Sequence, residues 1–185
     1  MSNNILPNQF QTDILNLPTS SHSTESFEIY NWLSSYGWQY WGTLTTPYKM
    51  SKQSARRLGN AYARAVLRNN FLKGSKVFWV AEPHKTGDFH LHYLVELDSF
   101  IDRWQKEYWT ELNHVARRMT GYGRIQTRLI RAQDTTKNYT HSDGIKCIDY
   151  CAKYICKGGV QSDRIDWDIL TASHLNNISI QKKLF

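Results

Sequence analysis

The sequence predicts an α+β fold in which helices pack on a single antiparallel sheet. Residues 76–82 and 89–97 are two strand-like runs joined by a segment dense in turn formers, which predicts an antiparallel hairpin. The segments 51–71 and 100–119 carry apolar residues at helical spacing. The resulting order, β-α-β-β-α-β-α with the hairpin in the middle, is typical of a sheet covered by helices.

The N-terminal region differs in composition from the rest of the chain. Residues 1–26 are rich in Ser, Asn, Thr and Gln, which predicts a flexible arm, and residues 27–185 then form one folded domain. Within that domain, residues 27–35 are predicted as a short helix and residues 38–46 as the first core strand. At the other end of the chain, residues 165–170 predict an edge strand or a short helix.

Two pairs of arginines lie on predicted elements where they could contact DNA. The helix that follows the first core strand presents Arg56 and Arg57 on its polar face. A strand predicted at 123–131 presents Arg124 and Arg128 on one face, because strand side chains alternate. Each pair either contacts a phosphate backbone or simply faces water.

The charge of the chain suits a polyanionic partner. The net charge is +7 and the isoelectric point is near 9.3. Residues 1–48 hold three acidic residues and no Lys or Arg, so the remainder carries a net charge of +10.

The cysteines and the hydropathy of the chain predict its compartment. Cys147, Cys151 and Cys156 lie within one predicted helix, where the geometry disfavours a disulfide, so we expect free thiols in a reducing compartment. No apolar run approaches the ~20 residues needed to cross a membrane. An intracellular location is therefore predicted.

One predicted strand contains two histidines in a pattern that suits metal binding. His90 and His92 point the same way because side chains alternate along a strand, and the predicted hairpin returns Glu82 towards them. Two imidazoles and one carboxylate suit Mg²⁺ or Mn²⁺, or Zn²⁺ and Fe²⁺ in other settings, and leave positions open for a substrate oxygen. His84 and Asp88, in the turn, are rival ligands. Two surface histidines on a half-exposed strand are the alternative without a metal.

A predicted helix at 145–157 carries two tyrosines, each with a lysine three residues further on. They are Tyr150 with Lys153 and Tyr154 with Lys157. A tyrosine has a pKa of about 10 and is a poor nucleophile at neutral pH. A nearby ammonium favours the phenolate, and a metal on the scissile phosphate favours in-line attack. Two half-buried structural tyrosines are the alternative.

In this order, the motifs resemble those of the HUH endonuclease superfamily, the rolling-circle replication initiators (Rep) of plasmids, phages and single-stranded DNA viruses. The first motif, a strand with a Leu-Thr ending, is matched by Trp41-Gly42-Thr43-Leu44-Thr45-Thr46. The His-hydrophobic-His motif is matched by His90-Leu91-His92, and Tyr-x-x-Lys is matched at 150–153 and 154–157. The resemblance spans roughly residues 38–158 and implies the ferredoxin-like or RRM-like HUH nuclease fold.

The resemblance implies a DNA endonuclease and strand transferase that nicks and rejoins single-stranded DNA. Glu82, His90 and His92 would hold Mn²⁺ or Mg²⁺. Tyr150 would attack the phosphate and form a 5′-phosphotyrosine that conserves the bond energy, with Tyr154 as a second or substitute nucleophile.

The resemblance also implies partners and a location. The partners are single-stranded DNA at a replication origin, with or without a hairpin, and a host helicase and polymerase, since the sequence has no Gly-x₄-Gly-Lys-Ser/Thr nucleotide-binding loop. The implied location is the host cytoplasm, or the nucleus of a eukaryotic host.

Three other functions stay open at this point. An RRM-like binding module would stack bases on exposed aromatic side chains and would need no metal. A single-strand transposase of insertion elements would share the HUH chemistry but use one tyrosine in a dimer. A metal hydrolase with structural tyrosines would turn over without a covalent adduct.

Overall fold

The computed structural model describes residues 24–84, 87–98, 105–121, 123–130, 142–156 and 167–175. In chain order the elements are α1 (Thr24–Ser34), β1 (Tyr40–Leu44), α2 (Lys52–Arg68), β2 (Lys76–Pro83), β3 (Phe89–Glu96), α3 (Gln105–Thr120), β4 (Ile125–Leu129), α4 (Ser142–Cys156) and β5 (Trp167–Leu170). The five strands form one antiparallel sheet, so the predicted α+β class is confirmed.

The β2–β3 hairpin lies at the centre of the sheet, whose strand order is β4-β1-β3-β2-β5. The turn of the hairpin is closed by two backbone hydrogen bonds, from His84 N to the Asp88 carbonyl at 2.6 Å and from Gly87 N to the His84 carbonyl at 2.9 Å. Gly87 has a φ of 85°, a left-handed conformation that glycine adopts without a steric penalty. The turn therefore fixes the register in which β2 and β3 pair.

Helices cover both faces of the sheet. The alternation of side chains sends Leu91, Tyr93 and Val95 to one face, where they join a core with α2 and α3, as predicted for these three residues. The opposite face of the same strands meets α1 and α4 in a second core, which comprises Leu33, Trp38, Phe78, Val80, Leu94, Cys151, Ala152 and Ile155. The result is three layers, with the sheet in the middle.

Helix α2 packs closely on the sheet because a glycine faces a tryptophan. Ser51 caps its N-terminus by accepting a hydrogen bond from Ser54 N. Gly59 lies against the indole of Trp79, and a Cβ atom at this position would overlap that ring. The absence of a side chain at position 59 thus sets how near the helix comes to β2.

The bounds of several elements differ slightly from those that the sequence predicts. Helix α1 begins at Thr24, three residues before the predicted domain boundary, and residues 1–23 of the predicted arm lie outside the described residues. Helix α2 ends at Arg68 instead of residue 71, because the side chain of Asn69 accepts hydrogen bonds from the backbone of the residues that follow it. The segment near 165–170 forms the edge strand β5.

Within the part of the chain that the structure describes, no helix combines the length and the apolar character that crossing a membrane requires.

The contact of Gly59 with Trp79 leads to a stability prediction. We expect Gly59→Ala to lower the free energy of unfolding by about 1–3 kcal/mol, because the added methyl group overpacks the interface between α2 and β2. Gly37→Ala is the matched control, since a Cβ there meets nothing within 4 Å. Urea denaturation of both variants measures the difference, and equal midpoints would contradict this packing.

Candidate metal centre

Three residues of the central hairpin bring their side chains together on the face that α1 and α4 cover. Glu82 on β2 pairs directly with His90 on β3, and His92 lies two residues further along β3. Antiparallel partners and alternate residues of one strand share a face of the sheet. All three side chains are buried, with exposed fractions of 8% for Glu82, 7% for His90 and 4% for His92.

The polar atoms of these residues form a nearly equilateral triangle. The Glu82 Oε2 atom lies 3.0 Å from His90 Nε2 and 2.9 Å from His92 Nε2. The two Nε2 atoms are 2.9 Å apart. Each residue thus directs one potential ligand atom towards a common point.

The spacing of this triangle fits a divalent cation. Three ligands that bind an octahedral ion at right angles and at about 2.1 Å are separated by about 3.0 Å. Neutral imidazole and carboxylate are the ligand types that such ions accept in proteins. The residues Glu82, His90 and His92 could therefore hold a divalent metal ion together, and a substrate oxygen or water could complete its coordination.

Strand β1 fixes the imidazole of His92. Thr43, the direct partner of His92 in the sheet, places its Oγ1 atom 3.1 Å from His92 Nδ1. The indole of Trp41 stacks on the same imidazole, with a centroid distance of 5.6 Å and an interplanar angle of 12°. When Nδ1 donates its hydrogen to Thr43, the lone pair of Nε2 faces the common point, as a metal ligand requires.

Burial favours the neutral form of His92. Removal of the imidazole from water lowers the pKa of His92 below its usual value, although the hydrogen bond with Glu82 opposes that shift. A histidine must be neutral to bind a metal, so burial favours the form that serves as a ligand.

The imidazole of His90 differs from that of His92 in its contacts. Unlike the Nδ1 atom of His92, the buried Nδ1 atom of His90 has no hydrogen-bond partner among the described residues. The ring of His84 lies beside it, with a centroid distance of 4.2 Å. The two rival ligands of the turn, His84 and Asp88, contribute no ligand atom to the triangle.

Tyr150 on α4 reaches the triangle. Its hydroxyl donates a hydrogen bond of 2.8 Å to Glu82 Oε2, the oxygen that also faces both histidines. Its ring meets the His92 ring edge to face at 4.8 Å. The structure thus brings one predicted nucleophile into contact with the predicted ligands.

The other residues predicted on the tyrosine helix are Lys153, Tyr154 and Lys157. Lys153 is exposed, three residues after Tyr150. Tyr154 belongs to α4, but its side chain lies outside the described part, and Lys157 lies outside the described residues altogether. Cys147 and Cys151 are not joined in a disulfide, in line with the prediction for this helix, and burial raises the pKa of the Cys151 thiol.

The predicted DNA-binding arginines lie on α2 and at or just before the strand β4. Arg56 and Arg57 are exposed on α2, which packs on the opposite face of the sheet. Arg124 is exposed just before β4. Arg128 pairs with Trp41 in β4, and its side chain lies outside the described part.

Sequence reasoning overlooked the contribution of Trp41 and Thr43 to the site. Both belong to the first motif, Trp41-Gly42-Thr43-Leu44-Thr45-Thr46, which assigned them to a strand but gave them no role. Their contact with His92 depends on the pairing of β1 with β3, two strands that are separated by α2 and β2. The alternation along β1 puts both residues on one face, and that is the only signal in the sequence.

No family model matches the chain, and no curated protein matches its sequence. Two solved structures are similar to it. One is the protein ORF119 of Sulfolobus islandicus rod-shaped virus 1, with 21% identity over 74% of this chain and 94% of that chain and a TM-score of 0.41. The other is the N-terminal nuclease domain of minute virus of mice non-structural protein 1, with 12% identity over 64% of this chain and 78% of that domain and a TM-score of 0.31. That domain coordinates Zn²⁺ in its active-site pocket and recognises DNA at the origin of replication.

The triangle predicts metal binding that depends on its three residues. We expect Glu82→Ala, His90→Ala and His92→Ala each to abolish the binding of Mn²⁺, because two ligands hold the ion far more weakly than three. Titration calorimetry with Mn²⁺ measures the loss, and His114→Ala, an exposed histidine on α3, is the control. Wild-type affinity in His92→Ala would contradict the assignment.

The hydrogen bond between Thr43 and His92 predicts a graded effect. We expect Thr43→Val to weaken metal binding about 10- to 100-fold, because the isosteric side chain cannot orient His92. Thr43→Ser should retain most of the affinity, since the hydroxyl remains. Thr45→Val is the matched control, because it loses a hydrogen bond to the Arg124 carbonyl and none to a ligand. Equal metal affinity in Thr43→Val and Thr45→Val would show that Thr43 does not position the histidine.

Proposed function

We propose that this chain is a metal-dependent endonuclease and strand transferase that nicks and rejoins single-stranded DNA, with Tyr150 as the nucleophile. The observation that carries the proposal is the hydrogen bond of 2.8 Å from the Tyr150 hydroxyl to Glu82 Oε2. A nucleophile beside a set of metal ligands is the arrangement that phosphoryl transfer to tyrosine needs. The resemblance of the three motifs to the HUH superfamily supports the same activity.

The residues of the site divide the chemistry between them. Glu82, His90 and His92 would hold Mn²⁺ or Mg²⁺, which supplies Lewis-acid polarisation of a phosphate oxygen when it is bound. The oxygen of Tyr150 attacks the phosphorus and gives up its proton. The bond from phosphorus to the 3′ oxygen breaks, and that oxygen takes up a proton. The products are a 5′-phosphotyrosine and a free 3′-hydroxyl, so the number of phosphodiester-type bonds is unchanged.

The remaining residues of the tyrosine motifs have supporting roles in this proposal. Lys153 lies one helical turn after Tyr150 and is exposed, so its ammonium is available to favour the phenolate or to contact the substrate phosphate. Tyr154, with Lys157, serves as a second nucleophile that allows the strand to be rejoined. Resealing requires that a 3′-hydroxyl attack the 5′-phosphotyrosine, which forms the new phosphodiester bond and returns the tyrosine with a proton; cleavage of a second site by Tyr154 would supply that 3′-hydroxyl.

The biological context that fits this activity is rolling-circle replication. The substrate would be a replication origin exposed as single-stranded DNA, with or without a hairpin. The free 3′-hydroxyl would prime a host polymerase, while a host helicase would separate the strands. Both steps would take place inside the host cell, in the cytoplasm or, in a eukaryotic host, the nucleus.

The position of the aromatic residues disfavours an RRM-like binding module. Such a module stacks bases on aromatic side chains exposed on the sheet. Here Tyr40, Phe78, Trp79 and Tyr93 are buried beneath the helices on the two faces of the sheet. Trp41 is half-buried and is occupied by its contact with His92. The described strands therefore offer no open aromatic face.

A covalent adduct tests the nucleophile. We expect wild-type protein with Mn²⁺ and a pool of labelled single-stranded oligonucleotides to give a labelled band at the mass of the protein on a denaturing gel. Tyr150→Phe should reduce that band by at least 100-fold, because phenylalanine has no attacking oxygen. Tyr108→Phe, on α3 at the other face of the sheet, is the matched control.

The other outcomes of this experiment separate the alternatives. An adduct that persists in Tyr150→Phe and disappears in Tyr154→Phe would transfer the role of first nucleophile to Tyr154. Metal-dependent cleavage without an adduct in the wild type would replace the proposal with a metal hydrolase. Binding without cleavage, for an oligonucleotide that contains the origin, would leave a binding module.

A further inference from the structure

The strands that carry the metal ligands share one end of the sheet with several connections. We call it the metal end, where β1 and β2 finish and β3 and β4 begin. Leu44 pairs with Leu91 at this end of β1, one residue from His90. Ile125, the first residue of β4, pairs with Leu44. The connection from β1 to α2 and the turn from α3 to β4 therefore lie close to the candidate metal centre.

The connection from β1 to α2 is held firmly in place. The Thr45 backbone N–H and hydroxyl both donate to the Arg124 carbonyl, at 3.1 and 2.7 Å. The Thr46 hydroxyl donates to the Tyr48 carbonyl at 2.6 Å, and Phe89 N donates to the Met50 carbonyl at 3.0 Å. The loop is thus joined to β4, to itself and to β3, and its conformation is defined.

This firmly held loop presents a tyrosine to solvent. The exposed fraction of Tyr48 is 82%, well above the 45% of Trp109 and the 42% of Phe71. Exposure of a large aromatic side chain forgoes the ~1.5–3 kcal/mol that its burial would contribute. Hydrogen bonds already hold this loop in place, so the exposed ring of Tyr48 adds nothing to the stability of the loop.

The elements that meet at the metal end with the Tyr48 loop carry several exposed basic side chains. The first turns of α2 and the last turn of α3 both lie there, and the first turn of α2 contains no acidic residue. The exposed basic residues next to or within these segments and just before β4 include Lys49, Arg56, Arg57, Arg117, Arg118 and Arg124. The opposite end of the sheet is mixed in charge, because Glu96, Asp98 and Glu107 accompany Lys73 and Lys106 there.

We propose that Tyr48 is a stacking platform for a nucleobase of the single strand beside the nick, and that the basic side chains of the metal end hold its phosphates. This inference rests on the proposed function, which places the scissile phosphate at the triangle. An exposed aromatic ring among cations is the combination that binds single-stranded nucleic acid independently of sequence. The arginines of α2, which a solvated helix face would also explain, then contact the same strand.

Binding in the absence of metal tests the platform. The probe is a fluorescent oligo(dT) of 20 nucleotides, and its anisotropy is followed in EDTA with the full chain, so that no cleavage occurs. We expect Tyr48→Ala to weaken binding roughly 5- to 100-fold, since one stacked base contributes that much. Tyr48→Trp should bind within about threefold of the wild type, because the indole also stacks. Phe71→Ala, an exposed aromatic residue at the opposite end, should leave the affinity unchanged.

The salt dependence tests the basic residues. The double variant Arg117→Ala/Arg118→Ala should reduce the slope of log affinity against log salt concentration by about 1.4, because each lost phosphate contact changes the slope by about 0.7. The charge-matched control is Lys73→Ala/Lys106→Ala, which should keep the wild-type slope. Equal slopes in the two double variants would overturn the assignment of these arginines.

Two outcomes separate this inference from the proposed function. Wild-type affinity in Tyr48→Ala, together with normal adduct formation by the wild type, would overturn the platform and leave the nuclease. Weakened binding in Tyr48→Ala, together with no adduct from any origin-containing DNA, would support the platform and overturn the nuclease. An unfolding midpoint temperature equal to that of the wild type would show that the Tyr48→Ala variant is folded.

Discussion

Glu82 and His90 face each other because the β2–β3 hairpin holds one register, and the positions of the other site residues follow from that pairing. A slip of one residue would turn His90 and His92 to the other face of the sheet, into the core formed with α2 and α3. It would also put Leu91 and Tyr93 where the ligands now lie. Two observations oppose such a slip: the turn that contains Gly87 closes with two hydrogen bonds, and both faces of the hairpin are buried.

The two faces of the sheet differ in polarity. Helices α2 and α3 cover a face that is apolar along most of its length, whereas α1 and α4 cover a face that is apolar at one end and polar at the metal end. One polar atom of this cluster, the buried Nδ1 of His90, has no partner among the described residues. An unsatisfied buried donor costs about 1–3 kcal/mol. Departures of this kind from ideal packing are typical of functional sites.

Local patterns in the sequence were enough to predict part of this arrangement. Alternation along one strand and a turn of the right length brought Glu82, His90 and His92 together, and the fold class followed from the order of the elements. The contacts of Thr43 and Trp41 with His92 could not be predicted in this way, because they depend on which strands become neighbours. The grouping of basic residues at the metal end could not be predicted either, since the start of α2 and the end of α3 are far apart in the sequence and come to the same end of the sheet only in the folded chain. The rotation of α4 that directs Tyr150 to Glu82 is likewise a product of tertiary packing.

The hydrogen bond from Tyr150 to Glu82 Oε2 joins the proposed nucleophile to an atom of the candidate metal centre. Cation occupancy and the position of the phenol are consequently linked equilibria, and thermodynamic reciprocity applies to them. A cation held by Glu82, His90 and His92 would withdraw electron density from Oε2, so the hydrogen bond that Tyr150 donates to this atom would be weaker in the loaded site. By the same factor, a phenol engaged elsewhere, for instance in an ester with DNA, raises the affinity of the site for the cation. The covalent intermediate would thus retain its ion more tightly than the free protein does.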